Sequence, residues 1–377
     1  MMAVYLDFNA TSPIDERVLK KMIEVYRSNY GNADSHTHIF GMKAKEIVND
    51  ARKTIAKILN VDNTDVFFTS GSTESNNMAI IGLLEFAQKS GRNHFITTAI
   101  EHKSVLEPMK FLEKHGCQVD YVYPDGSGRI KKEQILSLIT NKTLLVSIMH
   151  VNSETGIIQP IEDIGRELAN TEIYFHIDAT QGFGKLNDVL RQTKYNMLSI
   201  TAHKIGGPQG IGGLIMRRDN NYKRPPLMPL MYGGEQERGY RPGTTPVALV
   251  AGFALAAKIC DQEEQQNIDK CRLIKESFFE SIKNLDYNIN GEQKYCLPST
   301  INISFENIDA ESLLIALKEN YAFSNGSACN AGSHSLSYVL KAMGFSDKRI
   351  NEAVRISWNH STHVDFKNLA EYIKSMV

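Results

Sequence analysis

This sequence has too few cysteines, too widely spaced, to be a disulfide scaffold. Its five, Cys117, Cys260, Cys271, Cys296 and Cys329, are scattered and odd in number, with no Cys-x-x-Cys pair. That pattern fits reduced thiols of a cytoplasmic protein better than a disulfide framework or a zinc site. An excess of one charge is also missing. The 42 Lys and Arg nearly balance the 43 Asp and Glu, for a net charge of -1. No direct nucleic-acid binding is therefore expected. No apolar run approaches the ~18 residues of a membrane-spanning helix, so no membrane partner is expected. The N-terminus lacks the basic and apolar regions of a signal peptide, and none is expected. Carboxylate pairs, a serine triad and metal-ligand clusters are absent too. His36 and His38 are close in sequence, but nothing nearby completes a metal site.

What is present is an alternation. Short β-rich apolar runs recur at residues 66–69, 94–99, 119–123, 144–150, 174–178, 198–202 and 213–216. Helix-patterned segments lie between most of them, at 75–88, 103–115, 132–139 and 161–169. Strands alternating with helices imply an α/β fold, with a seven-stranded, mainly parallel sheet covered on both faces. The alternation ends near Arg217, and residues 220–243, rich in Pro, Gly and Arg, read as loops. Residues 246–258 are nearly all apolar and predict a buried helix; 261–283 are charged and helical and link to a second unit. A strand at 300–305 and helices at 310–320, 335–343 and 364–376 complete the pattern. The expected organisation is a large domain over residues 15–255 and a smaller α+β domain built from 1–14 and 256–377.

Several segments have the residue types of a reaction site, each with a plainer reading beside it. Residues 67–76 run from a strand through Ser70-Gly71-Ser72-Thr73 into a helix. Free N–H groups and the positive end of the helix dipole favour an anion there, with the Ser72 and Thr73 hydroxyls as further donors. Gly-Lys-Ser/Thr is missing, so this is no Walker loop; taken alone, a plain helix cap explains it. Asp178 ends a hydrophobic strand, where open α/β sheets bind ligands. A carboxylate there needs a partner such as a protonated ring nitrogen, or it caps the next turn. Lys204 follows a strand and precedes five glycines and a proline within nine residues. Most lysines are solvated, but this crowding suggests backbone close to a ligand, and a desolvated lysine suits Schiff-base chemistry. His102 and Asn152 each follow a strand end; the imidazole stacks on an aromatic ligand or simply bonds a carbonyl. Arg355, flanked by apolar residues, needs a carboxylate, either internal or from a substrate. Cys329 sits in Ser324-Asn325-Gly326-Ser327-Ala328-Cys329-Asn330-Ala331-Gly332-Ser333, a run of small and polar residues unlike the surroundings of a core cysteine. It is either an inert loop cysteine or a thiol able to reach a partner.

Together, and in order, these motifs resemble the cysteine desulfurases of the NifS/IscS type, in the class V group of fold-type I pyridoxal-phosphate (PLP) enzymes. The resemblance starts at residues 5–13, continues through Gly31-Asn32, 69–76, Glu101-His102-Lys103, 147–152, 176–181, His203-Lys204 and 241–244, and closes with 326–329 and Arg355. It implies that Lys204 holds PLP and shuttles protons, Asp178 pairs with the pyridinium nitrogen, Gln181 bonds the phenolic oxygen and His102 stacks on the ring. Ser72, Thr73, Thr201 and His203 would hold the phosphate. Thr244 would reach the phosphate of a neighbouring subunit, which implies a homodimer. Arg355, helped by Asn152, would bind the carboxylate of L-cysteine. The Cys329 thiolate, its proton taken by an imidazole such as His102, would attack the substrate sulfur, release alanine and carry a persulfide to an acceptor protein. Iron–sulfur assembly, tRNA thiolation and DNA phosphorothioation are the pathways such a donor serves.

Three positions depart from the family pattern, Gly207, Gln236 and Pro242, and none removes a group the chemistry needs. The loop around Cys329 resembles the long-loop desulfurases rather than the second group with its Arg-x-Gly-x-His-Cys signature. The sequence closes at Val377, soon after the last predicted helix, where housekeeping relatives carry a tail that docks an iron–sulfur scaffold; this leaves room for a specialised acceptor such as the machinery served by DndA-like desulfurases. A selenocysteine lyase, a class V aminotransferase, and a catalytically silent PLP-fold adaptor for sulfur relay are the competing readings.

Overall fold

The computed structural model describes residues 3–219, 221–325 and 336–376. The chain opens with β1 (Val4–Tyr5), α1 (Glu16–Ser28) and α2 (Ile39–Leu59). Then come β2 (Val66–Thr69), α3 (Ser72–Ile81), α4 (Leu84–Ser90), β3 (His94–Thr98), α5 (Lys103–Lys114) and β4 (Gln118–Val122). The alternation goes on through α6 (Lys132–Leu136), β5 (Thr143–Met149), α7 (Ile161–Leu168), β6 (Tyr174–Asp178), α8 (Asn187–Gln192), β7 (Met197–Thr201) and β8 (Gly212–Met216).

Strands β2 to β8 form one sheet in the order β2-β8-β7-β6-β5-β3-β4. Pairing is parallel except at β8, which runs antiparallel to both β2 and β7. The two faces are separated by the period of two along each strand. Ile148, Ile177 and Ile200 pack into the core under α1 and α2, whereas Phe67, Leu145 and Leu214 face the helices α3 and α5. Every residue of β5 is buried, as expected of a central parallel strand covered on both sides.

Beyond the sheet, α9 (Val247–Ile282) leads to β9 (Tyr287–Ile289), β10 (Thr300–Phe305), α10 (Ala310–Leu317) and β11 (Tyr321–Ala322). After them come α11 (Tyr338–Ala342), α12 (Asp347–Asn351), β12 (Ala353–Ser357) and α13 (Phe366–Lys374). A three-stranded antiparallel sheet, β12-β10-β9, covers a separate core that includes Leu6, Phe278, Trp358 and Phe366. The N-terminal segment joins this unit: β1 pairs in parallel with β11, and Asp7 bridges Ser357.

Three expectations needed revision. The single helix at 75–88 is two, because Gly82 gives its carbonyl to the N–H of Met228 at 2.8 Å and a Cβ there would meet Leu227 at 3.1 Å. Glycine is also a poor interior helix residue. Conversely, 246–258 and 261–283 are one helix of 36 residues, α9. No breaker separates its apolar half, packed on α1 and α2, from its charged half. Helices α1, α2, α8 and α12, and the short strands β1, β9 and β11, lie outside the expected elements. The predicted helix at 335–343 is described only from Tyr338 to Ala342.

Candidate active site

The carboxyl ends of the parallel strands open onto a cleft of ≈ 670 Å³. Its lining includes Ser72, Thr73, His102, Asp178, Gln181, Thr201, His203, Lys204 and Arg355. Residues from several separate stretches of chain thus converge on one space, because parallel topology brings the strand ends to the same edge. Cys329 lies outside the described residues.

At the phosphate-like end, Gly71 caps α3 with no side-chain hydrogen bond to the helix, which leaves first-turn N–H groups for a ligand. Its φ of 153° suits glycine, and a Cβ there would stand 3.9 Å from Thr201 Oγ1. The Ser72 hydroxyl is buried and has no partner. His203 touches Thr11 Oγ1 at 3.2 Å; burial, with Lys204 alongside, holds its pKa down at about 4. A neutral imidazole is thus available as a hydrogen-bond donor. Thr244 is exposed and outside this lining.

Asp178 sits 4% exposed at the end of β6. Its Oδ2 accepts from Asn76 Nδ2 at 2.8 Å. Its Oδ1 accepts from the Thr180 N–H at 3.0 Å and from the Thr180 hydroxyl. Among the described residues no cationic side chain pairs with it. A buried carboxylate of this kind favours a positively charged ligand atom. Asn76 Nδ2 also donates to Ser104 Oγ at 2.8 Å, and Ser104 Oγ in turn lies 2.8 Å from His102 Nδ1. That same Nδ1 accepts the Ser104 N–H at 3.1 Å, which makes His102 the cap of α5. Two donors at Nδ1 put the ring proton of neutral His102 on Nε2. The tautomer suits a ring held for stacking. It does not suit a base acting at Nδ1.

Lys204 Nζ donates to the carbonyls of Asn9 and Ala10, both at 2.5 Å. Gln181 Nε2 donates to the same Asn9 carbonyl at 2.8 Å. Arg355, on β12, pairs with Asp7 Oδ1 at 2.5 Å and donates to the Ser153 carbonyl at 3.1 Å; its Nε is buried without a partner. Beside it is Glu154, whose Oε1 is also an orphan. Burial pushes the Glu154 carboxyl up to about 7.

Asn152 is the predicted residue whose geometry points elsewhere. Its Oδ1 accepts from the N–H groups of Glu154 and Thr155 at 2.9 and 2.8 Å, and its Nδ2 donates to the Ile100 carbonyl at 3.0 Å. It builds the turn after β5 and is not part of the cleft lining. Asp7 and Asn9, with Asn76, Ser104, Glu154 and Thr180, were missed by residue-by-residue reading: Asn9, Ser104, Glu154 and Thr180 line the cleft, while Asp7 and Asn76 stand behind it, bonded to Arg355 and Asp178. Short polar side chains such as these look like any turn or cap until the fold brings them together; only the run at 5–13 signalled the first two.

The model of the family described as Aminotransferase class-V matches residues 4–366. The chain belongs to that family. Cysteine desulfurase IscS of Pasteurella multocida (strain Pm70) is 39% identical over 100% of this chain and 93% of that protein. A solved NifS-like protein superposes with a TM-score of 0.91 at 36% identity, covering 100% of both chains. DndA from Streptomyces lividans superposes with a TM-score of 0.82 at 40% identity, covering 93% of this chain and 98% of that one. The class-V fold is therefore that of fold-type I PLP enzymes, and PLP is the coenzyme of this class. The cleft fits it on its own evidence: an uncapped helix start with an orphan hydroxyl, a lysine amine, and a buried carboxylate without a cation.

Proposed function

We propose that this class-V protein is a cysteine desulfurase that takes sulfur from free L-cysteine, releases L-alanine and holds the sulfur as a persulfide on Cys329. The observation that carries this reading is the pairing of Lys204 and Asp178 in one cleft with Arg355 at its far wall. When bound, PLP supplies an aldehyde for amine capture and an electron sink for charge developing at Cα. Lys204 anchors the coenzyme and then moves the Cα proton. Asp178 keeps the ring nitrogen protonated, with its orientation fixed by Asn76 and Thr180. Gln181 donates to the phenolic oxygen, and His102 supports the ring face. Ser72, Thr73, Thr201 and His203 hold the phosphate. Arg355 receives the substrate carboxylate, sharing its guanidinium with Asp7. We assign Asn152 the support of that pocket through its turn, in place of direct substrate contact.

Cys329 is favoured as the nucleophile by elimination. The other four cysteines are free thiols, and burial raises all four: Cys260 to about 12, Cys271 to about 11, and Cys117 and Cys296 above the ordinary value. Thiolate is the reactive form, so those four are poor candidates. The described chain on either side of the Cys329 segment reaches the cleft: Ser324 pairs with Arg355, and Tyr338 lines the cleft. The thiolate attacks the substrate sulfur; an S–S bond forms, the C–S bond breaks, and carbon takes up a proton as alanine leaves.

We further read the protein as a cytoplasmic homodimer of two domains, residues 15–255 and residues 1–14 with 256–377. Thr244, exposed and outside its own cleft, would serve the partner's phosphate. Exposed Tyr30, Ile39, Phe40, Met42, Met231 and Tyr232 supply apolar surface for the interface. No helix among the described residues is long and apolar enough to cross a membrane. The persulfide passes to an acceptor protein, and the likeness to DndA makes DNA phosphorothioation the first pathway to examine, by measuring phosphorothioate after gene deletion. The decisive experiment for the activity is mass spectrometry after addition of L-cysteine. The peptide containing Cys329 gains the mass of sulfur in the wild type and does not in Lys204→Ala; no added sulfur in either would sink the reading.

A further inference from the structure

Gln181 lies between two cavities. On one side is the cleft. On the other is a second cavity, ≈ 250 Å³, between α9, the segment 12–15 and residues 358–361. Lys185 lines this second cavity, and its Nζ donates to Gln181 Oε1 at 3.0 Å. The far side of the same amide donates from Nε2 to the Asn9 carbonyl at 2.8 Å, which also takes the amine of Lys204. The two lysines are thus joined by one amide and one carbonyl.

The partners determine the amide orientation. An ammonium can only donate and a carbonyl can only accept, so Oε1 must face Lys185 and the NH2 group must face Asn9 and the cleft. The turn holding Lys185 is itself constrained. Gly184 has a φ of 75°, and a Cβ there would come within 2.6 Å of Ile205.

We propose that Lys185 is a positioning residue for the coenzyme: it locks the Gln181 amide with its NH2 group toward the cleft and sets a positive charge behind it. This rests on the assignment of Gln181 to the phenolic oxygen of PLP. Among the described residues no carboxylate pairs with Lys185, so its charge is spent on the amide. Burial pulls its pKa down to about 8, against the influence of Cys271 and Cys260. It is therefore still largely protonated at neutral pH. The other charged or titratable groups on the cavity wall are Asp15, Glu263, Glu264, His360 and Lys204. Asp15 and Glu263 are held by Arg17, and Glu264 accepts the Asn187 N–H.

A cation behind the donor favours the deprotonated form of the coenzyme chromophore. The test is the pH titration of the visible absorbance of the bound coenzyme in wild type, Lys185→Met, Lys185→Arg, Gln181→Leu and the Lys185→Met/Gln181→Leu double variant. Lys185→Met raises the midpoint by about one pH unit, and Lys185→Arg restores most of it. In the Gln181→Leu background the Lys185 change has little further effect. An unshifted midpoint in Lys185→Met, with the absorbance band present, overturns this inference alone. An equal shift with and without Gln181 overturns the relay through the amide. Absence of any coenzyme band in wild type overturns the PLP reading and this inference with it.

Discussion

Asp178 and Glu101 are both buried carboxyls at this edge of the sheet, and their surroundings assign them different jobs. Asp178 accepts three hydrogen bonds, which fix the orientation of its carboxyl group. Replacing it with Asn keeps the shape and loses the charge. Asp178→Asn is expected to retain coenzyme but turn over cysteine at least about 100-fold more slowly, a loss of the size seen when one electrostatic partner of a reacting centre is removed; steady-state alanine release checks this. Glu101, fully buried, has one oxygen bonded to Thr98 and to the Met149 N–H and the other unpartnered. Burial pushes its pKa from 4.5 up to about 8. Between those two values the folded chain keeps a proton that the unfolded chain releases, so stability falls as pH rises through the window and is unaffected below it. Glu101→Gln removes the titration. Relative to the variant, the wild type should lose up to about 1.4 kcal/mol per pH unit across that window, and the difference should vanish toward pH 4.5; denaturant midpoints against pH measure it.

At the scale of elements, the start of α3 and the N-terminal segment do most to shape the cleft. Gly71 is the cap that lets backbone approach a ligand. Gly71→Ala forces a side chain into a φ of 153°, costing about 1–3 kcal/mol, and fills space beside Thr201. The expected result is faster coenzyme release together with a lower melting temperature, read by gel filtration of coenzyme from protein and by thermal scanning. The strand–helix alternation from β2 to β8 was legible because parallel strands buried on both faces are written as short apolar runs. Helices α1 and α2 lie outside that alternation; α1 buries Val18, Met22 and Val25 at i, i+4 and i+7, and both helices pack on α9. The role of residues 5–13 could not be read from local pattern. Asp7 and Asn9 meet Arg355, Lys204 and Gln181 only because β1 pairs with β11, more than 300 residues away in sequence.

For the whole molecule, two predictions follow from what is hidden and what is left open. Four cysteines are packed where thiolate is disfavoured, so a brief pulse of an alkylating reagent should label Cys329 at least about tenfold faster than any other; peptide mapping decides. The apolar side chains around Phe40 are exposed in the single chain. On the proposed dimer, Phe40→Asp should shift sedimentation from dimer to monomer and weaken coenzyme retention, since Thr244 would then have no partner to reach. The sequence by itself determined the layered α/β class, through its alternating apolar runs, and the family, through the resemblance of its ordered motifs; it offered Lys204, Asp178 and Arg355 as candidates, and the fold brings these three to one cleft. Tertiary structure alone decided which polar side chains orient them: Asn76 on Asp178, Ser104 on His102, Asp7 on Arg355 and Lys185 on Gln181. Those contacts are hydrogen bonds between short polar groups from distant segments, and only the fold sets which of them meet.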